Sequence, residues 1–190
     1  MRSVYLGLAA LAAPVFANAQ LEEVRVGVLQ HNICVTDCKN ANKEDGPNLE
    51  AEAVFAGPDA FRYLMSPRPY AIASVNTAGN TSYGGVGLVW TFDIARAWSF
   101  EPSLGYVIHD GRLESPFAQG SPESEAFAEE NVFLGSRDLF RTGFALTRQI
   151  GDGVGVQFLF EHLSHGQILG NGRNQGLDNV GVRLVYTLGE

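Results

Sequence analysis

The sequence predicts an all-β fold, an eight-stranded antiparallel transmembrane β-barrel, and three observations carry that prediction. Segments of alternating hydrophobicity recur between clusters of Gly, Pro, Asn and Asp, with no long helical period competing. Their connections alternate between long and tight, as they must when one end of a barrel carries loops and the other carries turns. Mean hydropathy is −0.01 over 190 residues that are 45% hydrophobic. That average excludes a helical membrane protein, but it fits strands that show lipid only every second residue. Charged residues at 18%, with 22 Gly and 12 Phe, also exclude a disordered chain.

The front of the chain is a separate element. Arg2, an apolar run from Val4 to Phe16 broken by Pro14, and Ala17-Asn18-Ala19 describe a cleaved secretory signal over 1–19, leaving 20–190 as the barrel domain. The run is short for a membrane span, and no Cys follows the cleavage site to take a lipid anchor. Removing it leaves 12 basic residues against 21 acidic ones, which argues against a nucleic-acid partner.

Eight strands are expected at 22–33, 48–57, 68–77, 82–94, 97–109, 133–149, 154–165 and 178–188. The first sets Val24, Val26 and Val28 against Arg25 and Gly27. The fourth sets Val86, Leu88, Trp90 and Phe92 against Tyr83, Gly85, Gly87 and Thr91. In the fifth, Trp98, Phe100, Pro102, Leu104, Tyr106 and Ile108 oppose Ser99, Glu101, Ser103, Gly105 and Val107. Small and charged residues suit a narrow interior, so Arg25, Arg141, Arg183, Glu50, Glu52, Glu101 and Glu161 are expected inside as a balanced filling. The links 34–47, 110–132 and 166–177 are long and polar, and Glu114 to Glu130 reads as a solvated external loop. Ala95-Arg96 and Gly151-Asp152-Gly153 are tight, 58–67 is intermediate, and Ala78 to Thr81 is a short member of the loop end.

Alternation alone does not say which face is outside. A soluble lipid carrier would show the same pattern inverted. The export signal, and the cluster of Trp90, Phe92, Trp98 and Phe100 around the 93–97 turn, favour an aromatic girdle at a membrane interface. The expected location is the bacterial outer membrane.

Cys34 and Cys38 are either a disulfide or two free loop thiols. An extended chain would hold them roughly 13 Å apart, so bridging requires a turn at Thr36-Asp37. They lack the further ligands a metal site needs, and His31 and His109 fall at strand ends without an evident partner.

The last two strands carry polar residues where lipid-facing ones belong. Val154, Val156, Phe158, Phe160, His162 and Ser164 share one face of the seventh, and Asp178, Val180, Val182, Leu184, Tyr186 and Leu188 share one face of the eighth. The connecting hairpin should bring His162, Ser164 and Asp178 together at the loop end, on the outer face. A Ser hydroxyl is a poor nucleophile until an imidazole takes its proton, and a carboxylate fixes that imidazole's tautomer. Residues i and i+2 on a strand lie within about 7 Å, near enough for the Ser and His to meet. The plainer alternative is a set of interfacial polar residues on a barrel without catalysis, structural or adhesive in role.

The stretch Phe160-Glu161-His162-Leu163-Ser164-His165-Gly166, followed by Asn174-Gln175-Gly176-Leu177-Asp178-Asn179, resembles the C-terminal signature of the PagL-type lipid A 3-O-deacylases. The resemblance implies an outer-membrane serine esterase acting on the lipid A of lipopolysaccharide, with no cofactor and no metal. It implies Ser164 as nucleophile, His162 as general base and Asp178 as orienting acid, with Asn174 and a backbone N–H near Gly166 stabilising the oxyanion. A homodimer stays open. Four departures stand out: Asp178 occupies the family's usual Glu position, His165-Gly166 replaces Asn-Ala after the Ser, the loop between Ser and acid is about two residues longer, and the chain closes on Leu188-Gly189-Glu190 rather than an aromatic residue. Glu161, although adjacent, should point into the barrel. His165 reads as a solvated loop residue.

Overall fold

The computed structural model describes residues 20–36, 38–170 and 173–189, so the segment read as an export signal, 1–19, lies outside the described residues. The strands are β1 (Leu21–Gln30), β2 (Pro47–Phe55), β3 (Arg68–Asn76), β4 (Tyr83–Val89), β5 (Phe92–Ala95), β6 (Trp98–His109), β7 (Asp138–Gly151), β8 (Val154–Ser164) and β9 (Leu177–Thr187). All neighbours pair antiparallel in the order β4-β3-β2-β1-β9-β8-β7-β6-β5, and a β4–β6 pairing closes the sheet on itself. Nine segments make eight walls, because β4 and β5 both run along β6. Val89 pairs with Ser103 and Phe92 with Phe100. Between them Trp90 N–H donates to the Pro102 carbonyl at 3.0 Å, but proline has no N–H to return, so the ladder loses a rung there. The predicted closed barrel of eight antiparallel strands is what forms.

The faces sort as the alternation predicts. Along β6, Phe100, Leu104 and Ile108 are exposed while Ser99, Glu101, Ser103, Gly105 and Val107 are buried. Along β9, Val180, Val182, Leu184 and Tyr186 are exposed and Arg183 is buried. A monomer with this much exposed apolar side chain in a continuous band is built for lipid, not water.

The interior is polar, and its charges are paired because an isolated ion in a low-dielectric space is strongly disfavoured. Arg25 lies 2.6 Å from Glu23, 3.1 Å from Glu52 and 3.0 Å from Glu101. Arg183 bridges Glu50 at 2.8 Å and Glu52 at 3.1 Å, and Arg141 lies 2.5 Å from Glu161. The other oxygen of Glu161 accepts from Asn179 Nδ2 at 2.8 Å and from the Tyr83 hydroxyl. Glu161 is thus committed to the inside, one residue from His162 but on the opposite face. Gly87 and Gly105 leave room for the fully buried Tyr70, whose hydroxyl a Cβ at either position would strike.

Two features of the loop end differ from expectation. The sixth predicted strand, β7, begins at Asp138, not 133: Val132, Phe133 and Leu134 are fully buried off the sheet, Val132 and Leu134 in a cluster with Val107, Leu139 and Leu163, and Phe133 stacked on Phe127. There Leu134 N–H donates to the Arg112 carbonyl at 2.9 Å and Gly135 N–H to that of Leu113 at 3.2 Å. The stretch read as a plain loop also contains a helix, α1 (Pro122–Glu130). Ser121 caps it, accepting from Ser124 N–H at 3.1 Å, Pro122 starts it, and Glu123 and Glu125 complement the positive end of its dipole. None of its residues is buried, so no apolar stripe marked it in the sequence.

The loop 31–46 is anchored to the rim through Glu44. Its carboxylate meets His31 Nε2 at 2.9 Å and accepts from Thr81 N–H and Thr81 Oγ1, each at 3.1 Å. Burial alone would raise its pKa, but the bonds from His31 and Thr81 outweigh burial and hold it below its ordinary value of 4.5. A lowered carboxylate pKa stabilises the folded loop above the ordinary value, and that contribution disappears as pH falls through the lowered one. Hydrogen exchange is expected to show the bonded amides of Asn32, Ile33 and Asn42 protected at neutral pH and losing protection only in acid below the usual carboxylate range. Equal protection across that range would contradict the anchor.

Candidate active site

β8 and β9 pair so that His162 stands directly opposite Asp178, and β7 places Phe140 opposite Ser164. The 165–176 hairpin connects them, so register rather than loop conformation brings the imidazole to the carboxylate. His162 Nδ1 lies 2.7 Å from Asp178 Oδ1. The side chain of His162 is 28% exposed and that of Asp178 only 1%. Ser164, two residues beyond His162, shares its outward face and is half-buried.

Both hydrogen bonds of His162 are made at Nδ1, whose N–H is shared between Asp178 Oδ1 and the Thr36 hydroxyl oxygen 2.9 Å away. With Nδ1 so engaged, Nε2 is the nitrogen available to a nucleophile. Among the described residues Ser164 Oγ is not hydrogen-bonded to it. Gly176 lies flat against the other edge of the ring. A Cβ at this position would come 2.5 Å from His162 Cε1 and 3.2 Å from Nε2. Gly176→Ala is therefore expected to tilt the imidazole away from Asp178. The 15N resonances of His162 in the folded variant check this, and a spectrum identical to wild type would contradict it.

The segment after Ser164 is built tightly. Gly166 adopts φ 59°, a left-handed conformation that glycine takes without strain. His165, expected as a solvated residue, is fully buried. Its Nδ1 accepts from Gln167 N–H at 3.1 Å and its Nε2 donates to the Arg173 carbonyl at 3.2 Å, so both ring nitrogens are committed to loop structure. Asn174 Oδ1 accepts from His165 N–H at 3.1 Å, tying the hairpin's return to the residue that follows Ser164.

Cys34 and Cys38 are joined as a disulfide with Cα atoms 4.3 Å apart. The short loop they close lies over Asp178. Thr36 Oγ1 donates to Asp178 Oδ1 at 2.8 Å, Val35 N–H donates to Oδ2 at 3.2 Å, and Thr36 N–H donates to the same oxygen. Reasoning from sequence missed Thr36 altogether. It is 126 positions from His162 and sits in a polar loop with no periodicity, so no local signal could have placed it there.

On the lipid side, the face that carries His162 and Ser164 continues into a shallow apolar groove of about 280 Å³. Phe100, Phe144, Leu146, Phe158, Phe160 and Val180 line it. Among the described residues no group of His, Cys, Asp and Glu is arranged to hold a metal ion.

The family model described as "Lipid A 3-O-deacylase (PagL)" matches residues 70–187, more than half of the chain, from within β3 to the end of β9. The chain belongs to the PagL family. Among solved structures, the outer membrane enzyme PagL superposes with a TM-score of 0.57 at 11% identity, covering 87% of this chain and 99% of that one. Neisserial surface protein A superposes with a TM-score of 0.55 at 9% identity, covering 90% and 99%. At such identities the superpositions establish the fold. No curated protein sequence matches. With its lipid-facing exterior, this PagL-family chain is an outer-membrane β-barrel.

Proposed function

We propose that the protein is a serine esterase of the outer leaflet that removes the 3-O-linked hydroxyacyl chain from lipid A, using Ser164, His162 and Asp178. The observation that carries this reading is the in-register His162–Asp178 pair at 2.7 Å, with Ser164 on the same lipid-facing face, in a chain of this family. His162 Nε2 takes the Ser164 proton as Oγ attacks the ester carbonyl, and Asp178 stabilises the imidazolium that forms. The imidazolium then protonates the departing sugar oxygen. Water, deprotonated by the same Nε2, hydrolyses the acyl-enzyme and releases the 3-hydroxy fatty acid. Asn174 Nδ2 and the Gly166 N–H are the donors nearest in sequence for the tetrahedral oxyanion, since the flanking amides of His165 and Gln167 are bonded within the loop.

The site's position suits such a substrate. Lipid A is held in the membrane by its own acyl chains, so it reaches an outward-facing serine by lateral diffusion. The groove lined by Phe144, Phe158 and Phe160 offers its chain an apolar bed beside the reacting ester. Mass spectrometry of lipid A from Gram-negative cells with and without the protein tests the proposal. The expected result is a species lighter by one hydroxyacyl group, and an unchanged acyl pattern would overturn it.

A further inference from the structure

We infer that Thr36 is a positioning residue for the His162–Asp178 pair, and that the Cys34–Cys38 disulfide holds it in place. This rests on the proposed esterase reading for its kinetic consequence, but the geometry stands apart from it. After Gln30 the chain keeps alongside β9, with Asn32 N–H donating to Asn179 Oδ1 at 3.1 Å and Ile33 N–H to the Asp178 carbonyl at 2.8 Å. It then turns over the acid. Asp178 receives the Thr36 hydroxyl on one oxygen and the Val35 and Thr36 amides on the other, while His162 shares the first.

The base of this loop is tied by Asn32, whose Nδ2 donates to the Asn40 carbonyl at 2.8 Å and whose carbonyl accepts from Asn42 N–H at 3.0 Å. The tip has no comparable packing. Cys34, Val35, Thr36 and Cys38 are all exposed, so burial cannot hold them, and the covalent bridge restricts the loop instead. The arrangement has a chemical consequence. Thr36 Oγ1 donates to Asp178 and so presents a lone pair to His162 Nδ1, 2.9 Å away, favouring the tautomer protonated at Nδ1. That tautomer leaves Nε2 free to accept the Ser164 proton. The family model begins at residue 70, so this clamp lies wholly outside the matched segment.

The test uses the full barrel in detergent, with Thr36→Val, Thr36→Ser, the Cys34→Ser/Cys38→Ser double variant, and its combination with Thr36→Val. Folding is checked by the mobility of unheated samples in gels. Deacylation of purified lipid A is read as kcat and KM, and the His162 tautomer is read by 15N resonance. Thr36→Val is expected to lower kcat about 10- to 100-fold with little change in KM, whereas Thr36→Ser retains most of the rate. The double serine variant is expected to lose a similar factor, and adding Thr36→Val to it should cost little more, because both act on one element. In both damaged variants the 15N spectrum should shift from the Nδ1–H tautomer towards a mixture. An unchanged kcat in Thr36→Val, a failure of Thr36→Ser to rescue, or fully multiplying losses would overturn the inference. If the wild type cleaves no lipid A ester, the esterase reading fails, and the tautomer spectra still decide whether Thr36 positions His162.

Discussion

Ser164→Ala is expected to abolish release of 3-hydroxy fatty acid from lipid A while leaving the barrel intact. Ser164 is half-buried at the outer end of β8 and pairs across the sheet only through its backbone, opposite Phe140, so losing its hydroxyl removes no interior contact. A nucleophile acting with its base as one unit accounts for nearly the whole covalent route. The expected fall in kcat is about 10⁴-fold or more, leaving only what binding and oxyanion donors supply. His162→Ala should fall as far, and the two together hardly further. The assay is product formation from purified lipid A, with the unheated gel mobility of each variant as the folding control. Residual activity within tenfold of wild type in Ser164→Ala would assign the chemistry to another residue.

Asp178→Asn is expected to cost nearly as much, for a reason particular to this site. Both oxygens of Asp178 accept hydrogen bonds: Oδ1 from Thr36 Oγ1 and His162 Nδ1, Oδ2 from the amides of Val35 and Thr36. An asparagine has one acceptor and one donor, so neither orientation satisfies all four. With its oxygen toward the amides, its NH₂ faces Nδ1 and moves the imidazole proton to Nε2, which then cannot take the serine proton. A loss of about 10⁴-fold in kcat follows from the wrong tautomer. Asp178→Glu, which would place the family's usual acid here, is not expected to improve the enzyme. The pocket under residues 33–36 already fits the shorter side chain at 2.7 Å from Nδ1, and one more methylene, about 1.5 Å, drives the carboxylate into Thr36 or past the imidazole. Steady-state kinetics of both variants decide the point. A Glu variant faster than wild type would show that the loop does not set the acid's length.

The eight walls, their order of long and short connections, and the sorting of faces were all legible in residue alternation, because in a barrel the side-chain period is locked to the pleat. Glu161 and His162 could be placed on opposite faces on that ground alone, and the export signal and aromatic girdle said which was outside. The helix α1 was not legible. Helices announce themselves by an apolar stripe, and this one fully buries no residue and packs through the single ring of Phe127; only Ser121-Pro122 marks its start. The start of β7 was misplaced for the opposite reason. Val132-Phe133-Leu134 looks like strand because it is apolar, yet these residues are buried outside any strand.

What the sequence by itself determined is therefore a barrel and its two faces, from period two, its lipid side, from the export signal and the aromatic girdle, and a His, a Ser and an Asp on that side near one hairpin. The register of β8 against β9, which puts His162 directly opposite Asp178, became visible only in the folded sheet. So did the cover over the acid. Asp178 is buried and bonded because a disulfide-closed loop from the far end of the chain lies across it, and contact between residues 36 and 178 comes from ring closure bringing β1 beside β9. Closure is a property of the whole sheet, and no window of sequence contains it.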